Sequence, residues 1–285
     1  MAGGGAPAPV TGGKLTKSDD TQSAGPAVRW LLTPVWWAML LTLVVLNFFV
    51  ALVAAPLFGH RYTKRLQEQI IGRGMLHLFW VTGLWSLTVH GKERLQAVGR
   101  SETGTCVLVA PHASFMDSAL LCMLPLDKKY LTNAKYFTIP LFGWGQWLAG
   151  DVGVDLSSKQ SRAASRAACA NTLHGGDSVV IYPEGTRQRD PPNLGTFKKG
   201  AFEIAAEAGV PVLPVMIINS HRAFSRKGVV DAADVHVIVG DLVEVDAKDP
   251  LKALEHVKAY FEGGFRAHYD HPRAKAKKAH QSLKD

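Results

Sequence analysis

Cysteine is scarce in this chain, with three residues among 285, and none of the three forms a Cys-x-x-Cys pair. Cys106, Cys122 and Cys169 lie in apolar or alanine-rich surroundings, so we expect reduced core residues in a chain that faces a reducing compartment. The sequence also lacks a zinc-finger spacing and a basic run interleaved with aromatics, which disfavours nucleic acid as a partner. Its net charge of +8 suits an anionic membrane surface or phosphorylated substrates instead.

Asp, Glu, Lys and Arg are all missing from residues 30–60. A helix rises about 1.5 Å per residue, so this run is long enough for a hydrocarbon core about 30 Å thick. Trp30, Trp36 and Trp37 at one end suit the headgroup zone. We therefore predict a membrane helix, with a buried core helix as the alternative.

A second uncharged run covers residues 74–89 and follows the basic residues Arg61, Lys64 and Arg65. This run is short for a membrane span, so we predict an interfacial or re-entrant helix. The basic residues between the two runs favour a cytosolic side for the domain that follows. The sequence does not decide whether the first helix crosses the bilayer or only enters it.

Both ends of the chain are poor in large apolar residues. Residues 1–27 are mostly Gly, Ala, Pro, Ser and Thr, so we expect them to be disordered. A signal peptide is not expected, because the apolar run starts too late, and Ala2 stands where myristoylation requires glycine. Residues 266–285 form a basic tail that we expect to be solvated or to touch a membrane.

Strand-like and helix-like segments alternate through the rest of the chain, which predicts an α/β sandwich with a mixed, largely parallel central sheet flanked by helices. The predicted strands are 105–110, 130–132, 153–155, 178–182, 211–217 and 235–239. The predicted helices are 115–124, 139–148, 159–174, 200–208 and 250–262.

A histidine precedes an aspartate by five positions three times in the chain: His112/Asp117, His236/Asp241 and His280/Asp285. Only His112 and Asp117 lie where a strand turns into a helix, a setting that holds catalytic groups rigidly and leaves them reachable. Asp117 could fix the tautomer of His112 and leave the other ring nitrogen free to take a proton. A purely structural histidine is the alternative on this pattern alone.

A second strand-to-turn junction follows about 70 residues later and carries four polar or flexible positions, Glu184, Gly185, Thr186 and Arg187. The guanidinium of Arg187 matches a phosphate bidentately, and Gly185 lets the backbone approach a ligand closely. Lys198 and Lys199 could add charge at the start of the next helix. The alternatives are a surface ion pair of Arg187 with Asp190 and a solvated face for the lysines.

Four short patterns occur in order between about residues 75 and 245: His-x4-Asp, Pro-Glu-Gly-Thr-Arg, Phe-Lys-Lys-Gly and Val-Pro-Val-x-Pro-Val. In this combination the chain resembles the glycerolipid acyltransferase family. The resemblance implies a membrane helix pair (28–90), an acyltransferase domain (91–265), and acyl transfer from acyl-CoA to the sn-2 hydroxyl of 1-acylglycerol 3-phosphate, giving phosphatidic acid. It implies no metal and no cofactor, with acyl-CoA as co-substrate, and a location at the endoplasmic reticulum or another internal membrane.

Within this resemblance, His112 is the general base, Asp117 orients it, and the acceptor hydroxyl takes the place of a serine nucleophile. Ser114 is not expected to be a nucleophile, because the Gly-x-Ser-x-Gly elbow of hydrolases is absent. The resemblance assigns substrate binding to the Glu184–Arg187 turn and Lys198, with Glu184 bracing the turn and Pro214 shaping the pocket wall.

One position departs from the family pattern, because Leu156 follows Asp155 where the family usually has arginine. Arg162 or Arg166 could supply the missing charge. The open alternatives are acyl transfer to another lysophospholipid or to glycerol 3-phosphate, and a non-catalytic membrane protein that binds anionic lipid.

Overall fold

The structure, a computed structural model, describes residues 25–188, 193–225 and 227–269. Its helices are α1 Pro26–Thr82, α2 Leu95–Arg100, α3 Met116–Leu121, α4 Phe142–Leu148, α5 Lys159–His174, α6 Gly200–Ala208, α7 Ser220–Ala223 and α8 Pro250–Tyr269. Its strands are β1 Trp85–His90, β2 Val107–Val109, β3 Lys128–Asn133, β4 Val152–Val154, β5 Ser178–Ile181, β6 Val212–Ile218 and β7 Ala233–Val239. Most of the predicted disordered segment and nearly all of the predicted basic tail lie outside the described residues.

The strands form one sheet in the order β1-β7-β6-β2-β5-β3-β4. Neighbouring strands run parallel, except that β6 and β7 are antiparallel. The central strands β2, β5 and β6 are buried throughout and rich in valine and isoleucine, as parallel strands covered on both faces usually are. The predicted largely parallel sheet flanked by helices is therefore confirmed.

Alternate residues of β2 belong to two separate cores, one on each face of the sheet. Val107 and Val109 join the core formed with α5, α6 and α8, whereas Leu108 joins the core that includes α3 and part of α1. Full burial of a Val or Leu side chain contributes roughly 1.5–3 kcal/mol. The two cores hold β2 from both sides and so fix the loop that follows it.

Helix α1 consists of two limbs, residues 26–58 and 60–82, separated by Gly59, whose φ of 77° and ψ of 170° interrupt the helix. The limbs pack closely enough that a Cβ atom on Gly74 would lie 2.7 Å from the Leu43 side chain. A helix pair therefore precedes the α/β domain, as predicted, but its second helix is residues 60–82. By length and composition alone, Ala27–His77 could cross a membrane, and most of its most apolar window is not buried in the protein.

The first limb of α1 is attached to the α/β domain near its start. Arg29 forms an ion pair with Asp231 at 2.7 Å, and the Trp36 ring stacks on Phe224 with ring centres 4.3 Å apart. Trp36 is 1% exposed, so the prediction that it lies in the headgroup zone is wrong: it is a core residue. Because the chain beyond Gly59 is also attached to the domain, the first limb lies along the domain surface.

The three basic residues after the kink pair with carboxylates of the α/β domain. Lys64 bonds to the buried Asp151 at 2.7 Å, while Arg61 and Arg65 both reach Asp127. Their charges are thus compensated within the protein. The cytosolic orientation inferred from these three charges stays a prediction.

The second uncharged run ends in a strand, so the prediction of a helix through residue 89 is wrong. Residues 85–90 alternate apolar and polar side chains and pair in parallel with β7, from Trp85 opposite Ala233 onward. This period of two is the strand signal that the lack of charge concealed. The sheet therefore begins six residues before residue 91, the expected start of the acyltransferase domain.

Candidate active site

His112 and Asp117 are hydrogen-bonded in the turn between β2 and α3, with Nδ1 of the imidazole 2.8 Å from Oδ2 of the carboxylate. Asp117 is fully buried, and the same oxygen accepts the backbone N–H groups of Ala113 and Ser114. A carboxylate only accepts, so Nδ1 carries the proton and Nε2 offers its lone pair to a ligand. The turn thus positions a ring nitrogen that can take a proton.

The His236/Asp241 pair does not form this arrangement. His236 bonds to Asp234 at 3.0 Å, and Asp241 pairs with Arg94 instead. The pair near the C-terminus lies outside the described residues. Among the described residues, sequence spacing and geometry agree only for His112 and Asp117.

Tyr182 holds the imidazole from one face, a contact that sequence reasoning missed. Its ring lies 4.0 Å from that of His112 at an angle of 16°, and its hydroxyl shares a 2.9 Å hydrogen bond with Ser118. Burial raises the pKa of Tyr182 well above its ordinary value, so the hydroxyl stays protonated. The available signal was an aromatic residue directly after β5 and immediately before the Pro-Glu-Gly-Thr-Arg turn.

Glu184 joins the turn after β2 to the loop after β5. Its carboxylate accepts the backbone N–H of His112 at 3.1 Å and that of Gly195 at 3.2 Å. The side chain is buried, and desolvation raises the pKa of Glu184. A further backbone bond runs from the N–H of Gln188 to the carbonyl of His112 at 2.8 Å. The two loops therefore form one rigid unit.

Ser114 is occupied by the fold. Its hydroxyl donates to the carbonyl of Phe224 at 3.0 Å and accepts the backbone N–H of Met116. The side chain is buried, and its proton is engaged by the Phe224 carbonyl. This geometry agrees with the expectation that Ser114 is not a nucleophile.

A large cleft of about 1440 Å³ opens at His112 and has two chemically different parts. The apolar part lies along α1, where five lining residues follow helical spacing on one face of the first limb: Leu40, Leu43, Val44, Asn47 and Phe48. Ile71 and Met75 line it from the second limb. The apolar side chains of α1 and the His112 imidazole therefore line the same cleft.

The basic part of the cleft lies around the Glu-Gly-Thr-Arg turn and the start of α5. Its lining cations are Lys135, Lys159, Arg162, Arg166, Arg187, Lys198 and Lys199. Gly185 has a φ of 70°, which favours glycine, and a Cβ there would lie 2.7 Å from Nζ of Lys198 and 3.3 Å from Leu156. Lys198 and Leu156 thus meet at this turn, beside Thr186 and Arg187, which also line the cleft.

Two arginines were candidates to replace the charge that Leu156 lacks, and their surroundings differ. Arg166 is engaged by Glu203 at 2.8 Å and by Glu207. Arg162 donates to the backbone carbonyl of Leu156 at 2.6 Å. Its guanidinium therefore lies at position 156, where the family usually has arginine. Of the two guanidinium groups, that of Arg162 is therefore the one bonded to Leu156, whereas that of Arg166 is paired with two carboxylates.

Pro214 lies away from the cleft. It is buried in the middle of β6, opposite Val109 of β2, and its carbonyl accepts the N–H of Gly240 at 2.8 Å. It is not among the residues that line the cleft. The position of Pro214 therefore does not support the expectation that it shapes the pocket wall.

The three cysteines are free thiols. Cys106, Cys122 and Cys169 are free, and burial raises the pKa of the Cys106 and Cys169 thiols to about 12. In the part of the chain that the structure describes, no group of three or more His, Cys, Asp or Glu residues is arranged to hold a metal ion.

Comparison with known proteins places this arrangement in a family. The model of the family described as "Acyltransferase" matches residues 86–218. The chain is 36% identical over 198 residues to 1-acyl-sn-glycerol-3-phosphate acyltransferase BAT2, chloroplastic, of Brassica napus, covering 67% of this chain and 56% of the relative. It is 32% identical to 1-acyl-sn-glycerol-3-phosphate acyltransferase LPAT1, chloroplastic, of Arabidopsis thaliana, covering 59% and 46%. The chain thus spans about half the length of these plant relatives.

A solved structure shares the fold. The crystal structure of the 1-acyl-sn-glycerophosphate (LPA) acyltransferase PlsC from Thermotoga maritima superposes with a TM-score of 0.67 at 20% identity, covering 85% of this chain and 98% of that one. The fold and the matched residues together define an acyltransferase domain. Residues 86–218 therefore form a domain of the acyltransferase family, which agrees with the resemblance indicated by the four sequence patterns.

Proposed function

We propose that this protein transfers a fatty acyl group from acyl-CoA to the sn-2 hydroxyl of 1-acylglycerol 3-phosphate, giving phosphatidic acid for phospholipid synthesis. The observation that carries the proposal is the position of His112 in the wall of one cleft that also has apolar and basic lining. Both substrates pair a long acyl chain with phosphate groups, so each needs both kinds of lining. The names of the plant relatives support the same acceptor.

In the proposed reaction, Nε2 of His112 takes the proton of the acceptor hydroxyl as its oxygen attacks the thioester carbonyl. Asp117 stabilises the imidazolium through the 2.8 Å bond to Nδ1. The tetrahedral intermediate then collapses, the carbon–sulfur bond breaks, and the imidazolium returns its proton to the departing CoA sulfur. No acyl-enzyme forms, because the substrate hydroxyl is itself the nucleophile.

The two parts of the cleft have separate tasks in this proposal. The apolar lining from α1 receives an acyl chain, and its burial provides binding energy of roughly 0.8 kcal/mol per methylene group. Arg187, Lys198 and Arg162 hold phosphate, with Arg187 supplying the planar fork that suits a phosphate monoester. The same cleft thereby aligns the acceptor hydroxyl with His112.

The acceptor is tested by supplying labelled acyl-CoA and a panel of lysolipids to the full-length protein purified in detergent. We expect kcat/KM for lysophosphatidate to be at least about tenfold higher than for lysophosphatidylcholine or monoacylglycerol. Only the phosphate monoester can form both hydrogen bonds to the Arg187 guanidinium. A preference for glycerol 3-phosphate or for a larger headgroup would overturn the proposed acceptor. Binding of anionic lipid without acyl transfer would overturn the enzymatic role.

Membrane association forms part of the proposal and rests on α1. Large apolar side chains are exposed along its first limb, among them Trp30, Leu41, Phe49, Leu52 and Phe58. The attachment of both ends of this limb to the α/β domain supports a hairpin that enters one side of the bilayer.

We expect the protein to remain in the membrane fraction through washes with high salt and with alkaline carbonate. Salt screens attraction between a basic protein and anionic lipid, but it does not release buried apolar surface. The fraction is measured by immunoblotting pellet and supernatant after each wash. Recovery of the full-length chain in the salt wash would show that charge alone holds it.

A further inference from the structure

The segment that contains α4 exposes large apolar side chains to solvent. Outside α1, four such residues are exposed among those the structure describes, and three of them belong to this segment: Ile139 at 42%, Trp144 at 46% and Trp147 at 64%. The fourth is Leu251 on α8. We call Ile139, Trp144 and Trp147 the α4 face. A cluster of this kind on a soluble domain marks a contact surface.

The α4 face is continuous with the apolar surface of α1. The Trp144 ring lies 6.0 Å from that of Phe48, which in turn contacts the ring of the exposed Phe49 at 5.4 Å. Side chains beyond the α1 kink hold α4 by its carbonyls, with Gln67 donating to Gly145 at 3.0 Å. The face and the helix hairpin therefore form one surface.

The backbone of this segment has an unfavourable conformation at Leu141 and a very close contact at Gly143. Leu141 has a φ of 63°, unusual for a residue with a side chain, and a Cβ on Gly143 would lie 1.9 Å from the carbonyl oxygen of Tyr136. Such conformations persist only where the surroundings enforce them. They turn Leu141 and Phe142 into the cleft and leave the tryptophans outside.

We propose that the α4 face docks into the interfacial zone of a lipid bilayer beside α1, so that lysolipid passes from the bilayer under α4 into the cleft. Tryptophan favours this zone because its ring is apolar and its N–H is polar. Lys135, exposed and close in sequence, and the net charge of +8 complement anionic headgroups. We favour a bilayer over a second protein copy as the partner, because the α4 face is continuous with the exposed apolar surface of α1.

This proposal rests on the proposed acyl transfer, and the test separates the two. The double variant Trp144→Ser/Trp147→Ser removes two exposed side chains that do not line the cleft; Ile139 is kept because it does. Leu251→Ser is the matched control on α8. Initial rates are measured with long-chain lysophosphatidate in vesicles of phosphatidylcholine and phosphatidylglycerol, and with a short-chain, monomeric lysophosphatidate in solution.

For the double variant, we expect the apparent KM for vesicle-borne substrate to rise about tenfold, because interfacial burial of both rings is lost. The rate with the soluble substrate and both rates of Leu251→Ser should stay within about twofold of wild type. Equal losses in both assays would overturn the proposal and show that α4 supports the cleft structurally. Unchanged vesicle kinetics would also overturn it.

A binding measurement is independent of turnover. Vesicles with brominated acyl chains should quench the tryptophan fluorescence of the wild type. The difference between the wild-type and double-variant spectra isolates the emission of Trp144 and Trp147, and we expect this difference to be quenched. An unquenched difference spectrum would overturn docking even if acyl transfer is intact. A wild type without acyl transfer but with quenched Trp144 and Trp147 would refute the proposed function and retain the docking surface. A dimer in detergent that the double variant dissociates would assign the face to a second copy.

Discussion

Replacing His112 with alanine should lower turnover by two orders of magnitude or more while the protein stays folded. General-base assistance is typically worth about 10²- to 10⁴-fold, and a hundredfold loss corresponds to about 2.7 kcal/mol in the activation barrier. The fold should tolerate the change, because Asp117 keeps its bonds from the N–H groups of Ala113 and Ser114. Turnover with saturating acyl-CoA and acceptor, together with the circular dichroism spectrum, checks both statements.

Two further variants sharpen this experiment. Asp117→Asn should also lose much of the activity, because the amide removes the negative charge that stabilises the imidazolium. His256→Ala is the matched control: His256 is exposed on α8 and does not line the cleft. His236 is a poorer control than its sequence position suggests, since it is buried and bonded to Asp234. More than about a tenth of wild-type turnover in His112→Ala would exclude His112 as the base.

Local patterns predict most of the fold. Helices 159–174 and 200–208 begin and end as predicted, because α5 starts with a serine N-cap and α6 ends at Gly209 with a positive φ. The parallel order follows from alternating strands and helices, which admit few other arrangements. Strand β1 was missed because its lack of charge outweighed its alternation of apolar and polar residues.

The His112–Asp117 pair was predictable because both partners lie in one short turn. The ring contact of Tyr182 and the ion pairs of Arg61, Lys64 and Arg65 join residues more than 50 positions apart. Such contacts depend on how the elements pack, which periodicity does not encode. The apolar part of the cleft is predictable only in part. The helical spacing of its α1 residues can be read from the sequence, but the surface that they face depends on tertiary packing.

The second large effect concerns Arg187, whose substitution should weaken binding of the acceptor. The residue is exposed in the cleft beside Gly185 and Thr186, on a loop fixed by the bond from Gln188 to His112. Charge-assisted hydrogen bonds contribute about 1.5–3 kcal/mol each, so Arg187→Ala should raise the KM for lysophosphatidate roughly 10- to 150-fold. The KM for acyl-CoA should change far less. Initial-rate kinetics with each substrate varied in turn measure both.

Arg187→Lys tests whether geometry or charge is needed. Lysine keeps the charge but lacks the planar fork, so we expect it to restore only part of the lost affinity for a phosphate monoester. Arg100→Ala, an exposed arginine on α2 that does not line the cleft, controls for a change in overall charge. An unchanged lysophosphatidate KM with a raised acyl-CoA KM in Arg187→Ala would assign Arg187 to the CoA phosphates. Recognition of the acceptor phosphate would then fall to Lys198 and Arg162, the other cations at the Gly185 turn and Leu156.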